Sequence, residues 1–212
     1  LIPNWAPTIG EALEKTPDWV QELPENSFLL TFAGKIGKGQ SLETLLNVAK
    51  KLEEHQDFYI VIVGDGTELE NLKSKAQKEN ISNVIFSGRR PLSDMPHLFK
   101  KSSCLYVSLS ADHLSSLTIP SKLQAYMNSG KPILASLKGE GARIVKESGC
   151  GLTVVPGDEI ALLDTIRSLL SLDTNQLLGM GRLGKEYYHQ HFDKSVVMAK
   201  IESRELDWTL FD

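Results

Sequence analysis

The segment FYIVIVGDG, residues 58–66, joins a run of six apolar and aromatic residues to a turn flanked by glycines. A short continuous apolar run is typical of a strand that is buried on both faces, as in a parallel sheet. A charged amphipathic pattern follows over Thr67–Glu79, and the spacing of Thr67 and Glu70 predicts a capping box at its start. Strand, tight turn and helix together predict one unit of an α/β fold.

The same unit recurs on both sides of this segment. The other predicted strands are Ser27–Ala33, Val84–Ser87, Cys104–Leu109, Pro132–Ser136 and Leu152–Val155. The other predicted helices are Ser41–His55, Leu92–Lys101, Ser121–Ser129, Ala142–Ser148 and the region from Glu159 onward, with breaks near Asp173 and Asp193. Ser41 and Ser121 are predicted N-caps. Six strands alternating with helices predict a doubly wound, Rossmann-like parallel sheet with right-handed crossovers.

The two ends of the chain do not follow this alternation. Residues 1–26 contain four prolines and are predicted to form a tether. Residues 27–192 are predicted to form the Rossmann-like domain, and residues 193–212 a C-terminal helix.

The composition is that of an ordinary soluble globular protein, with 212 residues, 41% hydrophobic residues and a formal net charge of −4. The mild acidity argues against a nucleic-acid partner, which usually requires a basic face. Cys104 and Cys150 lie in apolar runs, which predicts buried thiols in a reducing compartment. We expect no membrane span, because no apolar stretch approaches about 20 residues. We also expect no signal peptide, because Leu1–Trp5 is followed at once by polar residues and Pro7.

In an open parallel sheet, ligands bind at the carboxyl ends of the strands, so the loops there are the candidate sites. The loop Gly34–Gln40 combines three glycines with Lys35 and Lys38 just before a helix, a combination that suits phosphate. Its spacing fits neither the P-loop nor the dinucleotide glycine motif. The alternative interpretation is a flexible surface turn with solvated lysines.

Two further loops carry positive charge. Gly88-Arg89-Arg90-Pro91 follows the third strand and could face an anion, stack on a base, or lie solvated. Ser121 and Lys122 begin a helix, where a lysine opposes the helix dipole unless an anion binds there.

The remaining strand-end loops are less informative. Glu140, among glycines, could accept hydrogen bonds from sugar hydroxyls or simply favour the start of the following helix. His113 is the one histidine in a strand-end loop. No catalytic triad and no metal motif is evident in the sequence.

Four landmarks in this order resemble the C-terminal, donor-binding domain of GT-B glycosyltransferases of the retaining family 4. They are Ile2-Pro3-Asn4-Trp5, Phe32–Gly37, Val61–Gly66 with Asn83–Gly88, and the PSKL…GKP signature at Pro120–Leu123 and Gly130–Pro132. This signature is common in transferases of capsule, exopolysaccharide and O-antigen biosynthesis. The resemblance spans the chain from about Leu1 to Trp208.

The resemblance implies a nucleotide-diphospho-sugar donor and assigns residues to it. The diphosphate site would consist of Gly34, Lys35, Gly37, Lys38, Ser121 and Lys122. The base and ribose site would consist of Gly88, Arg89, Arg90, Pro91 and Gln124. The donor sugar would face Asp112, His113, Thr118 and Glu140. No catalytic residue is assigned, and no metal or cofactor is expected because these cations would take a metal's place.

The sequence departs from the family pattern at three positions. Many members carry two glutamates eight positions apart, and the corresponding residues here are Leu117 and Ala125. Ribose recognition would then fall to Gln124 or to water. Lys35 replaces the family's arginine and loses its bidentate fork.

The expected function is sugar transfer to a glycan or lipid-linked acceptor at the cytoplasmic face, with peripheral membrane association and a dimer as further expectations. Residues 1–26 would be the linker from an N-terminal acceptor domain that this chain lacks, so the chain alone should turn over little. The terminal helix, with Val196, Val197, Ile201, Leu206 and Trp208, would cross back to that domain and expose an apolar patch here. The alternatives are a nucleotide-sugar epimerase of the same fold and a non-catalytic nucleotide-sugar-binding or assembly subunit.

Overall fold

The computed structural model describes residues 15–110, 118–199 and 202, and all six predicted strands are present. The strands are β1 Phe28–Ala33, β2 Phe58–Val63, β3 Val84–Gly88, β4 Cys104–Ser108, β5 Ile133–Ser136 and β6 Gly151–Val154. The helices are α1 Asp18–Gln21, α2 Leu42–Lys51, α3 Leu69–Lys78, α4 Met95–Lys101, α5 Ser121–Ser129, α6 Gly139–Ser148, α7 Glu159–Leu170 and α8 Thr174–His191. Short 3-10 turns form at Lys38–Gln40 and Leu92–Asp94, and residues 194–199 are also helical.

The strands form one parallel sheet in the order β3-β2-β1-β4-β5-β6. This confirms the predicted doubly wound fold. The order reverses direction between β1 and β4, and this switch point opens a crevice at the carboxyl ends of the strands. β1 pairs with β2 along its whole length, but with β4 only at Leu30 and Thr31. The two central strands therefore diverge as they approach the crevice.

A hydrophobic core lies on each face of the sheet, because successive strand residues point to opposite faces. Leu29 packs in the cluster that includes residues of α4, α5 and α6, and Leu30 packs in the cluster under α2 and α7. Cys104 and Cys150 are 0% exposed, which confirms the predicted buried thiols. Burial raises the pKa of the Cys104 thiol to about 12, so this side chain behaves as a small hydrophobe.

The predictions of helix starts were less accurate. Ser41 occupies the N-cap position of α2, but its φ is +47° and its side chain makes no capping hydrogen bond. The predicted capping box of Thr67 and Glu70 does not form. The turn continues to Glu68, which holds the N-cap position and whose N–H donates to the Ile36 carbonyl at 3.2 Å. Pro120, not Ser121, holds the N-cap position of α5.

The described part of the predicted tether packs on the domain. Val20 of α1 is 1% exposed and Leu23 is 4% exposed, and the Lys101 ammonium donates to the Gln21 carbonyl at 3.0 Å. Residues 1–14 and most of the predicted terminal helix lie outside the described residues. Of the apolar patch expected on that helix, Val197 is fully buried, so this residue does not contribute to an exposed surface.

Candidate functional site

A cleft of about 820 Å³ opens at the carboxyl edge of the sheet, at the switch point between β1 and β4. It brings together seven of the residues predicted to bind a donor: Gly34, Lys35, Arg89, Arg90, Pro91, Ser121 and Lys122. The other residues that line it are Ala33, Val63, Gly64, Asp65, Gly66, Leu92, Met95, Phe99, Ala125 and Tyr126.

The floor of the cleft is made by backbone packed directly on backbone. The Gly34 N–H donates to the Val63 carbonyl at 2.9 Å, and the Ile36 N–H donates to the Asp65 carbonyl at 2.7 Å. Gly64 has a φ of +140°, and a Cβ added there would lie 1.9 Å from the Gly34 carbonyl oxygen. The turn at residues 64–66 therefore requires glycine for close approach as well as for its backbone conformation.

Lys122 is the half-buried cation of the cleft. Its Nζ lies 4.0 Å from the centroid of the Phe32 ring, and its Cε passes over Gly34, where an added Cβ would meet it at 2.3 Å. Burial lowers the pKa of Lys122 to about 8. No carboxylate pairs with it among the described residues. An ammonium held in this way, beside the first turn of a helix, favours an anionic ligand.

Tyr126 closes the gap between the diverging strands, and the sequence reasoning missed it. Its hydroxyl accepts from the Ala33 N–H at 2.9 Å and donates to the Ala33 carbonyl at 3.2 Å. Its ring meets Phe99 edge-on, with centroids 5.4 Å apart. Burial raises the pKa of Tyr126 above its ordinary value. The available signal was the position of Tyr126 one helical turn after Lys122, on the same helix face.

The arginine loop after β3 forms the opposite side of the cleft. Arg89 is 83% exposed and lies 3.5 Å from the Asp65 carboxylate. The Arg90 Nε donates to the Ser87 carbonyl at 2.9 Å, and its guanidinium stacks on the Trp19 ring at 4.7 Å. Trp19 in turn donates its Nε1–H to the Asp94 carboxylate at 2.8 Å. Trp19 is a second residue that the sequence reasoning missed.

Several predicted donor residues do not reach this cleft. Gly37 and Lys38 line a separate groove beside α2 and α3, because the 3-10 turn at Lys38–Gln40 redirects the chain and the Gly37 N–H is bonded to the Gln40 side chain at 2.9 Å. Gly88 lies at the end of β3, where its carbonyl accepts from the Gly64 N–H at 2.8 Å, and it does not line the cleft. Their roles toward a donor stay predictions.

Gln124 is buried and is not among the residues that line the cleft. It follows Lys122 by two residues, which is a rotation of about 200° around the helix. Its predicted role toward a ribose stays a prediction.

Of the four residues predicted to face the donor sugar, the structure describes Thr118 and Glu140, and neither lines the cleft. Glu140 lies in the first turn of α6, where it forms a bidentate ion pair with Arg143 at 2.6 and 2.8 Å. Arg143 lowers the pKa of that carboxyl. Thr118 is exposed and outside the cleft lining. Asp112 and His113 lie outside the described residues.

No helix of the described ranges has the length and apolar character needed to cross a membrane. No group of three or more His, Cys, Asp or Glu side chains is placed to share a metal ion within the same ranges.

A parallel sheet of this order, with a cation-lined cleft at its switch point, places the domain in the Rossmann-like α/β class. Comparison with known families gives a match over residues 15–195 to the glycosyl transferases group 1, and the chain belongs to this family. The chain is 27% identical over 94% of its length to a probable glycosyltransferase, WbjE, of Pseudomonas aeruginosa. It is 26% identical over 85% of its length to a putative colanic acid biosynthesis glycosyl transferase, WcaI, of Escherichia coli. These matches cover 50% and 43% of the two relatives, so the chain spans about half their length.

Solved structures support the same fold. The chain superposes on HepE of Anabaena, solved with UDP, with a TM-score of 0.76 and 18% identity, over 91% of this chain and 54% of that one. It also superposes on the C-terminal domain of the group 1 glycosyl transferase LpcC of Francisella tularensis, with a TM-score of 0.67 and 17% identity. That match covers 87% of this chain and 96% of the other. The described structure therefore has the fold of half of a GT-B glycosyltransferase.

Proposed function

We propose that this domain binds the nucleotide diphosphate of a sugar donor in the cleft between β1 and α5. The observation that carries the proposal is Lys122, whose ammonium is half-buried beside a helix N-terminus without a carboxylate partner in the described structure. Holding a cation in that way costs free energy unless an anion compensates for it. A diphosphate supplies the compensating charge.

In this proposal the cleft has two parts, one for the diphosphate and one for the base. The Lys122 ammonium and the backbone N–H groups at the start of α5 would bind the diphosphate, and Lys35 would approach it from the loop after β1. The base would lie against Arg90 and Pro91. These groups favour departure of the nucleotide, because negative charge grows on the diphosphate as the glycosidic bond breaks. We infer that cations of the chain perform this task without a metal ion.

The activity of the whole protein is inferred from its relatives. One relative is named for colanic acid biosynthesis and another as an O-antigen chain mannosyltransferase, and HepE was solved with UDP-glucose. We infer an enzyme of the family 4 type that transfers a sugar to a glycan or lipid-linked acceptor in cell-surface polysaccharide biosynthesis. It would act in the cytoplasm, at the inner face of the membrane. The acceptor would bind to the half of such enzymes that this chain does not match.

Calorimetric titration with UDP, GDP, ADP and NAD tests the proposal. We expect one nucleoside diphosphate to bind and the Lys122→Ala variant to bind it more weakly. Lys78→Ala is the matched control, because Lys78 is exposed at the end of α3 and does not line the cleft, so its removal should leave the affinity unchanged. Preference for NAD, or no binding of any diphosphate by the folded chain, would contradict the proposal.

A further inference from the structure

We propose that a second pocket, which lies between α4 and α5 outside the donor cleft, binds a phosphate group. This α4–α5 pocket has a volume of about 270 Å³, and Phe99 and Ala125 separate it from the cleft, because both residues line both spaces. Its polar lining includes the ammonium groups of Lys100 and Lys131 and the side-chain amide of Asn128. These three residues do not line the cleft, so the inference goes beyond the proposed function.

Lys131 is held in the pocket by the end of one helix and by a bond to another. It follows Gly130, which ends α5 with a φ of +70°. Its Nζ donates to the Lys100 carbonyl, in the last turn of α4, at 2.8 Å. An ammonium group carries three donors, and this bond uses one of them. The same ammonium can therefore also donate to a ligand oxygen.

The charge of Lys131 is held at a cost in solvation. The side chain is partly buried, and burial lowers the pKa of Lys131 below its ordinary value. The ion pairs formed among the described residues include neither Lys131 nor Lys100. A bound oxyanion would offset that cost through charge-assisted hydrogen bonds.

Two helices end beside this pocket, and their last carbonyl groups would repel an anion if they were unpaired. Hydrogen bonds within the chain cover them. In α4, the bond to the Lys100 carbonyl is joined by one from the Ser102 N–H to the Leu98 carbonyl at 2.9 Å. In α5, the Ser129 hydroxyl donates to the Tyr126 carbonyl at 2.6 Å. The lysine ammonium groups therefore determine the sign of charge that the pocket favours.

The size and the remaining lining of the pocket indicate a small ligand. Pro96, Phe99 and Ala125 are apolar, so the polar atoms of a ligand would be bound by the two ammonium groups and the Asn128 amide. The volume of about 270 Å³ lies just below the range of about 300–1,000 Å³ that is typical of sites for drug-sized ligands. It suits a phosphate ion or a small phosphate ester better than a second nucleotide.

The test is a calorimetric titration of the full chain with inorganic phosphate at constant ionic strength, alone and with UDP present in excess. We expect phosphate to bind in both cases, because UDP would occupy the cleft and leave the α4–α5 pocket open. Lys122→Met removes the cation of the cleft and should also leave phosphate binding intact. Phosphate binding that either UDP or Lys122→Met abolishes would place the anion in the cleft and overturn the inference. Absence of phosphate binding would also overturn it, whereas the proposed function depends on UDP binding alone.

Variants of the lysines test the location of the phosphate. Lys131→Met should weaken phosphate binding by about tenfold, and Lys100→Met, at an exposed position, by about threefold. Lys101→Met is the matched control, because the Lys101 ammonium donates to the Gln21 carbonyl at 3.0 Å and does not line the pocket. Equal losses in the three variants would mean that phosphate senses only the general surface charge, and the inference would be wrong.

Lys131→Met also removes a hydrogen bond from the end of α4, so a second variant separates charge from stability. Lys131→Arg keeps a cation at this position and should bind phosphate within about threefold of the wild type. Loss of binding in a folded Lys131→Arg equal to that in Lys131→Met would overturn the assignment.

A phosphate group can belong to a free ion or to a lipid headgroup, and vesicles distinguish the two sources. The chain is sedimented with phosphatidylcholine vesicles that contain or lack phosphatidic acid. Sedimentation that requires both phosphatidic acid and Lys131 assigns the pocket to a lipid phosphate. Binding of inorganic phosphate without such sedimentation assigns it to a free ion or a soluble ester.

Discussion

The cations of the cleft fall into two regions with different environments. The inner wall, formed by Phe32, Gly34 and Lys122, holds its ammonium over an aromatic ring and against a glycine backbone. The outer rim, formed by Lys35 and Arg89, is open to water. Cations of equal formal charge should therefore attract an anion with different strength in the two regions, because solvent and salt screen the rim far more than the inner wall.

The two regions also differ in how the chain builds them. The rim residues belong to single loops that follow their own strands. The inner wall joins β1 to α5. The hydrogen bond that connects them, from the Ala33 N–H to the Tyr126 hydroxyl, links residues 93 positions apart in the sequence. Its geometry therefore depends on the whole fold, whereas the rim depends mainly on local turns.

The largest expected effect comes from the backbone under the inner wall. In Gly64→Ala, the new Cβ would lie 1.9 Å from the Gly34 carbonyl oxygen, at a φ of +140°. We expect the free energy of unfolding to fall by about 3 kcal/mol or more, because backbone must move. Chemical denaturation measures this loss.

Gly39→Ala is the matched control, because Gly39 lies in the loop that follows β1 and outside the lining of the cleft. A Cβ there meets nothing within 4 Å, so the unfolding free energy should change by less than about 0.5 kcal/mol. Similar losses in the two variants would refute the view that the inner wall is the rigid part of the cleft.

The sequence predicted the strands far better than the contacts of the site. Phe58–Val63 was located to the residue, because a continuous apolar run followed by a glycine turn has few alternative interpretations. The sequence also indicated Lys122 as a candidate, since a lysine in a first helical turn conflicts with the helix dipole, and its role toward an anion stays a prediction. Trp19 could not be predicted, because its hydrogen bond to Asp94 spans 75 positions. The burial of Gln124 could not be predicted, because it depends on the rotational phase of α5 about its axis.

The next effect is on nucleotide affinity. Lys122→Met should weaken binding of the preferred nucleoside diphosphate by about 10- to 100-fold, since a desolvated charged contact is lost. Lys35→Met should weaken it by less than about fivefold, and 0.5 M salt should remove that smaller effect. Titrations at low and high salt measure both, and equal losses in the two variants would remove the distinction between wall and rim.

Lys122→Met also has an expected effect on stability. The methionine fills the space over Phe32 without burying a charge, so the free energy of unfolding should stay the same or rise. A large loss of stability would instead show that Lys122 has a structural role.

A smaller effect is the pH dependence of binding. The pKa of Lys122 in the folded protein is about 8, and nucleotide phosphates are fully ionised above neutrality. As the pH rises through 8, the ammonium loses its proton, and affinity should fall toward a limit of about tenfold per pH unit. Lys122→Arg should give a flat profile, since guanidinium stays charged. A wild-type profile as flat as that of the variant would contradict the assignment.

The same pKa has a consequence for folding. The folded value lies below the value of 10.5 for an unperturbed lysine, so the unfolded state binds more protons between about pH 8 and 10.5. The contribution of Lys122 to the free energy of unfolding therefore rises with pH across that window. Denaturation of the wild type and Lys122→Met at pH 7.5 and 9.5 isolates this contribution, which should be absent in the variant.

The smallest effect concerns Arg90, which lies in the loop after β3 beside the rim residue Arg89. The Arg90 guanidinium stacks 4.7 Å from the Trp19 ring, so it should behave as an intermediate between wall and rim. In a double-mutant cycle of Trp19→Ala and Arg90→Ala, we expect a coupling of about 0.5–1 kcal/mol in nucleotide binding. Trp19→Phe loses the hydrogen bond to Asp94 but keeps a ring under the guanidinium, so it should retain most of that coupling. Strictly additive losses would mean that Trp19 supports the fold without positioning Arg90, and Arg90 would then belong with Lys35 among the solvated charges.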